Sequence, residues 1–121
     1  MHKTYKATGS VVLTDELSSY TDERLQKIER LIHQNDSLAK LDIELGASGT
    51  RAGPEYRAEM NLATRDGTFR AEARNVTLHA AIDECVDELR TELRKKITKH
   101  RDFIRRGAAR VKEFFRSMGG R

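Results

Sequence analysis

The spacing of apolar residues changes twice along this chain, and this change limits the folds that it can adopt. Between residues 17 and 32, apolar side chains recur every three or four positions, which places them on one face of an α-helix. Between residues 38 and 73 they largely alternate with polar side chains, as in strands that bury one face, and from residue 78 to 97 the helical spacing returns. The sequence therefore predicts a helix, a group of strands and a second helix around one core.

Four strands are expected, at residues 3–8, 38–45, 56–62 and 69–73. Asp66 and Gly67 predict a two-residue turn, since both central positions of a type I′ turn need positive φ. Residues 46–54 have the composition of a loop and predict a long-looped hairpin between the second and third strands. The expected fold is α+β with the order β-α-β-β-β-α, in which two amphipathic helices cover one face of a four-stranded meander and the other face is polar.

Both helices carry recognisable start and end signals. Thr14 offers an N-cap oxygen and is followed by two acidic residues that the helix dipole favours, so the first helix is expected to run from there to His33. The turn formers at residues 34–37 should end it. Residues 75–77 can cap the last helix, whose apolar stripe predicts an end near His100.

Charge is distributed unevenly along the 121 residues. Residues 1–89 contain 11 Lys and Arg against 16 Asp and Glu, whereas residues 90–121 contain 12 against 3. The polycationic end indicates a polyanionic partner, with nucleic acid first and an anionic membrane surface second; a disordered basic tail is the plainer alternative. The length suits one domain, which we expect at residues 1–101, followed by a basic amphipathic or flexible tail at 102–121 in which Gly107 disfavours one unbroken helix.

The sequence lacks the signatures of an enzyme. The four histidines show no metal-ligand spacing, and Cys85 lies on the predicted apolar stripe of the last helix. Asp83, Glu84, Asp87 and Glu88 form an acidic cluster that is more typical of a solvated helix face than of acid–base catalysis. We therefore expect no enzymatic activity, metal, cofactor or small-molecule substrate. The single cysteine, with no signal peptide or apolar span in the sequence, predicts a cytoplasmic protein.

Basic residues on the two helices and on the fourth strand are the candidate nucleic-acid contacts. Arg24, Lys27 and Arg30 form a slanting ridge beside the apolar stripe of the first helix, although Glu23 could hold Lys27 in an ordinary surface pair. Further cations accumulate along the last helix in numbers that exceed what its dipole favours. The full candidate set is Arg24, Lys27, Arg30, Arg70, Arg74, Arg90, Arg94, Lys95, Lys99 and Arg101.

Three segments carry a resemblance to known proteins. They are Ala-Thr-Gly at residues 7–9, the first-helix segment that includes Arg-Leu-Gln-Lys-Ile-Glu-Arg at residues 24–30, and Leu-His-Ala-Ala-Ile-Asp at residues 78–83. In this order they resemble the ribosome hibernation promoting factors and ribosome-associated inhibitors, once named sigma-54 modulation proteins. The likeness covers roughly residues 3–100, and the chain is similar to the short form of that family.

The resemblance implies a double-stranded-RNA-binding-like domain that occupies the tRNA and mRNA decoding region of the small ribosomal subunit. It also implies inhibition of translation and ribosome hibernation under stress and in stationary phase, with rRNA as the partner. The family's contact positions fall on Arg24, Lys27, Arg30 and Lys95. Two usually basic positions are Glu88 and Thr91 here. We further expect no membrane partner and a monomer away from the ribosome. A general RNA-binding or adaptor module that acts away from the ribosome is the alternative function.

Overall fold

The computed structural model describes residues 1–32 and 36–118, and the side chains of Thr50, His100, Asp102 and residues 111–118 lie outside this description. The elements in chain order are β1 (His2–Gly9), α1 (Asp15–Glu29), β2 (Lys40–Thr50), β3 (Gly53–Thr64), β4 (Gly67–Asn75) and α2 (Leu78–Met118). The predicted α+β fold and its order of elements are confirmed.

The sheet has the strand order β1-β2-β3-β4. β1 pairs with β2 in parallel, with Tyr5 opposite Ile43, whereas the other two pairs are antiparallel. Only β2, β3 and β4 therefore form the predicted meander. The parallel pair follows from α1, because a helical connection carries the chain back across the sheet and starts β2 at the same end as β1.

The predicted long loop between the second and third strands is wrong. β2 continues to Thr50 and β3 begins at Gly53, so only Arg51 and Ala52 separate the two strands. Backbone pairing extends both strands despite a composition that favours a loop. Gly46 fits because a Cβ at this position would lie 2.5 Å from Thr8 Oγ1 on β1, and Gly53 adopts a φ of 118° just after the turn.

α1 begins as predicted and ends earlier than predicted. The backbone N–H of Leu17 donates to Thr14 Oγ1 at 3.1 Å, which confirms Thr14 as the N-cap. The helix ends at Glu29, and Leu31 and Ile32 follow in a tighter turn. The backbone N–H of each of these two residues donates to the carbonyl three residues earlier. The rest of the predicted extension, and most of the turn predicted to end it, fall on residues 33–35, outside the described residues.

α2 begins after a Thr77 cap and runs unbroken to Met118, so the predicted end near His100 is wrong. Arg, Ala, Lys and Glu are strong helix formers, and they outweigh the cost of about 1 kcal/mol that Gly107 adds relative to alanine. A Cβ at Gly107 would meet nothing within 4 Å. At about 1.5 Å per residue, the 41 residues of α2 extend for roughly 60 Å.

The core lies between the sheet and both helices. Leu25 and Ile28 of α1, Ile82 and Leu89 of α2, and Ile43 of β2 belong to one buried cluster. Both helices therefore cover the same face of the sheet, as predicted. In the described part of the chain, no helix combines the length and apolarity of a bilayer span, and no three His, Cys, Asp or Glu side chains are grouped to hold a metal ion.

Candidate nucleic-acid interface

The open face of the sheet carries a charged network centred on Arg57. Its guanidinium lies 3.3 Å from the Glu44 carboxylate and 2.9 Å from that of Glu72, and it also contacts Glu59. Cross-strand pairing places the three glutamates in one row, since Glu59 is opposite both Glu44 and Glu72. The hydrogen bond from Arg57 holds the pKa of Glu72 below its usual range. The positive charge of Arg57 therefore offsets part of the negative charge of these three glutamates.

Arg70 and Arg74, two of the predicted contacts, belong to the same network. Arg70 lies 3.2 Å from Glu59, and Arg74 lies 3.4 Å from Glu72 and 3.8 Å from Glu55. The outward strand positions carry equal numbers of bases and acids, namely Lys6, Lys40, Arg57, Arg70 and Arg74 against Asp42, Glu44, Glu55, Glu59 and Glu72. A surface with balanced charge exerts a small net field on a polyanion.

The contact between α1 and α2, here called the helix seam, begins with Tyr20 and Asp83. The Tyr20 hydroxyl donates to both Asp83 oxygens, at 2.8 and 2.9 Å, and the Tyr20 ring meets His79 edge to face at 4.4 Å between centroids. Desolvation raises the pKa of Tyr20, and its hydrogen bond to Asp83 adds to the shift. This contact joins α1 to the first turns of α2.

Arg24 and Lys27 of the predicted ridge also lie in the helix seam. Arg24 Nε is 3.3 Å from Asp83 Oδ1, and its guanidinium lies 4.8 Å from the Tyr20 ring centroid. Nε makes no aligned hydrogen bond in the described structure, so we regard the contact with Asp83 as an ion pair alone. Lys27 Nζ lies 4.0 Å from Asp87. Two members of the acidic cluster thus face the ridge, where the sequence favoured a purely solvated face.

The seam changes character one turn further along both helices. The α1 residues at 20, 24 and 27 meet α2 residues of increasing number, so the helices run side by side in the same direction. The next cations along the two helices are Arg30, the C-cap of α1, and Arg90 of α2. Two ion pairs, Arg24 with Asp83 and Lys27 with Asp87, are therefore followed along the helices by two cations. The charge of the seam becomes more positive in this direction.

Beyond that point α2 carries an exposed series of cations, here called the basic segment: Arg90, Arg94, Lys95, Lys99, Arg101, Arg105, Arg106 and Arg110. All but the half-buried Arg90 are exposed. Among the side chains that the structure describes, Lys95 is the one member with a carboxylate within 4.0 Å, that of Glu92 at 3.4 Å. The basic segment therefore differs from the sheet face and the helix seam, where carboxylates already contact the cations.

Sequence reasoning missed two parts of this arrangement. It left Arg105, Arg106 and Arg110 out of the candidate set because the helix was expected to end near His100, although the density of strong helix formers signals its continuation. It also did not foresee that Asp83 and Asp87 would face the ridge, which depends on how distant helices pack. The altered family positions, Glu88 and Thr91, are both exposed on α2, and Thr91 Oγ1 donates to the Asp87 carbonyl at 2.9 Å.

A family model described as sigma 54 modulation protein / S30EA ribosomal protein matches residues 6–101 of this chain. Over 98 residues the chain is 30% identical to the ribosome hibernation promotion factor of Deinococcus radiodurans, and the match covers 79% of this chain and 50% of that protein. The chain thus spans about half the length of this relative.

Two solved structures have a similar fold. The N-terminal domain of Protein Y from Thermus thermophilus superposes with a TM-score of 0.67 at 25% identity, covering 78% of this chain and 98% of that domain. A ribosomal subunit interface protein from Coxiella burnetii gives a TM-score of 0.63 at 19% identity, and the match covers 81% of this chain and 99% of the Coxiella chain. At that identity the likeness concerns the fold alone. The family match ends at residue 101, inside α2.

Proposed function

This chain belongs to the sigma 54 modulation protein / S30EA ribosomal protein family, and from that premise we propose that it inhibits translation by binding the small ribosomal subunit. It occupies the region where tRNA and mRNA are decoded, and it holds ribosomes inactive under stress. It acts by occupancy, without catalysis, in the cytoplasm and as a monomer away from the ribosome.

The observation that carries this proposal is the basic segment of α2. Cations that lack nearby carboxylates attract phosphates without first losing an intramolecular pair, and binding to phosphates releases counterions from the nucleic acid. With respect to the described side chains, Arg94, Lys99 and Arg101 are exposed members of this kind within the region that matches the family. We assign them to phosphate contacts with rRNA, and Arg30 and Arg90 join them at the end of the helix seam.

The other candidate contacts have a different role in this proposal. Arg24 and Lys27 face Asp83 and Asp87, and both pairs are about half exposed, so each pair contributes little to stability and phosphate can replace the carboxylate. The same holds for Lys95 and Glu92. Arg70 and Arg74 lie on the charge-balanced sheet face, and we assign them at most a secondary contact.

Sedimentation of the purified protein with isolated small subunits, large subunits and intact ribosomes tests the proposal. We expect co-sedimentation with small subunits at low salt, loss at high salt, and displacement of initiator tRNA and mRNA from the small subunit. Sedimentation with large subunits alone, or a soluble protein at low salt beside intact ribosomes, would contradict it. Equal affinity for an unrelated structured RNA would instead support a general RNA-binding module that acts away from the ribosome.

Two matched variants locate the contact surface. Arg94→Gln with Lys99→Gln removes two charges from the basic segment, and Arg70→Gln with Arg74→Gln removes two from the sheet face. If the first pair contacts phosphates, the log–log salt slope of binding should fall by roughly 1.4 to 1.8, at about 0.7 to 0.9 for each contact. The sheet variant should change the slope by less than half of that. The reverse ranking would move the interface to the sheet.

A further inference from the structure

An apolar cleft lies where α2 leaves the sheet. It has a volume of about 510 Å³, and it is bounded by the end of α1, the β3–β4 turn and the middle of α2. Its apolar lining consists of Leu31, Ile32, Phe69, Leu93, Ile97 and Ile104. A volume of this size and a mostly apolar lining are typical of sites that bind small molecules. Arg101 of this lining is also one of the nucleic-acid contacts proposed above, and those contacts do not use the apolar interior of the cleft.

The rim of the cleft is cationic. Among the described residues that line it, Arg65, Lys96 and Arg101 are basic and Asp66 alone is acidic. None of these three cations has a carboxylate within 4.0 Å among the side chains described in the structure. The rim therefore offers positive charge beside an apolar interior, a combination that favours an anion with an attached apolar body.

Two contacts hold the rim in place. Lys96 Nζ lies 5.6 Å from the Phe69 ring centroid, and its stem crosses the turn so closely that a Cβ at Gly67 would be 2.5 Å from Nζ. On the other side, the buried carboxylate of Asp36 accepts a hydrogen bond from the Arg65 backbone N–H at 2.8 Å. The ammonium and the turn are thus positioned before any ligand arrives, which lowers the entropic cost of binding.

We propose that this cleft binds an amphiphilic anion, whose aliphatic or aromatic body contacts Ile97, Phe69 and Ile104 and whose carboxylate or phosphate lies at Lys96 and Arg101. Ile104 is 56% exposed and sits at the mouth, where a ligand would cover it. The chemistry is shared by free fatty acids and by anionic lipids in a membrane. The inference does not depend on ribosome binding, and its test uses the protein alone.

Titration with decanoate below its micelle concentration, followed by amide and methyl NMR shifts, tests the site. We expect saturable shifts at Phe69, Ile97 and Ile104, and much weaker effects from decanol, decyltrimethylammonium and acetate. Equal binding of decanol or decyltrimethylammonium would overturn the anion requirement, and the absence of saturable shifts with decanoate and of vesicle binding would overturn the site. The second arm measures binding of the protein to vesicles of anionic phosphatidylglycerol and of zwitterionic phosphatidylcholine. Binding to the phosphatidylglycerol vesicles would identify a membrane lipid as the ligand, and binding of decanoate alone would identify a free amphiphile.

The chain offers a matched control for each half of the ligand. Lys96→Gln should weaken decanoate binding by about two- to fivefold, whereas Lys95→Gln, one position away and outside the cleft, should not. Ile104→Gln should weaken it by about three- to tenfold, whereas Phe103→Gln should not, although Phe103 is 75% exposed. Equal losses from cleft and control variants, with decanoate or with vesicles, would show adsorption along α2 and overturn the cleft assignment.

Discussion

Replacing Asp83 and Asp87 with asparagine should strengthen RNA binding, because it removes the two carboxylates that face Arg24 and Lys27 in the helix seam. Each pair is about half exposed and screened by solvent, so the loss of both should lower the stability of the fold only slightly. Asparagine at position 83 still offers an oxygen to the Tyr20 hydroxyl, which limits the cost. The melting temperature should therefore drop by only about 2 to 6 °C.

The gain in binding follows from counterion release. If both freed cations reach phosphates, the log–log salt slope steepens by roughly 1.4 to 1.8, and, with equal affinities at 1 M salt, the affinity at about 0.1 M salt rises by about 25- to 60-fold. Filter binding to small subunits across a salt series measures both quantities. Asp42→Asn with Glu55→Gln, on the sheet face, adds the same net charge at another surface. Equal slopes for the two double variants would show that only net charge matters, and an unchanged slope in the seam variant would refute the reasoning.

The remaining predictions concern the first helix, the end of α2, the core and the cysteine. Lys27→Glu with Arg30→Glu should weaken small-subunit binding and leave the circular dichroism spectrum intact; unchanged affinity and salt slope would remove α1 from the interface. Truncation after Arg101 removes six basic and two acidic residues and should leave a folded domain with weaker, less salt-dependent binding; a large drop in melting temperature with unchanged ribosome affinity would make the removed part a stabilising element instead. Leu89→Ala empties a fully buried position and should lower the urea-derived free energy of unfolding by about 2 to 5 kcal/mol; a loss under about 1 kcal/mol would contradict its core position. Burial raises the pKa of the Cys85 thiol from 9.0 to about 12, so unfolding exposes a group that loses its proton more readily; the contribution of this thiol to stability should be fully present below about pH 9 and be lost as the pH rises from 9 towards 12, and Cys85→Val should reduce the alkaline decline.

The local elements of this protein could be read from its sequence because their determinants are local. The Thr14 cap and the two apolar stripes depend on residues within a few positions of one another. A tight connection between β3 and β4 was also predicted locally, but the type I′ turn expected at Asp66 and Gly67 is wrong. Arg65 and Asp66 separate the strands, Gly67 opens β4, and no residue other than glycine has a positive φ in the described structure. The alternation of charged residues likewise predicted the polar sheet face. The continuation of α2 through Gly107 is also a local property, because the helix formers around this glycine outweigh its cost.

Other features depend on segments that are far apart in the chain, and only the tertiary structure decided them. The pairing of residues 46–50 with residues 53–57 overrode a loop-like composition, because backbone hydrogen bonds in a sheet depend on the neighbouring strand. The sequence likewise shows how many charges the helices carry but not which of them meet. Asp83 faces Arg24 because the core sets the position of α1 along α2. The strength of an ion pair depends on the distance between the two charges and not on their separation in the sequence.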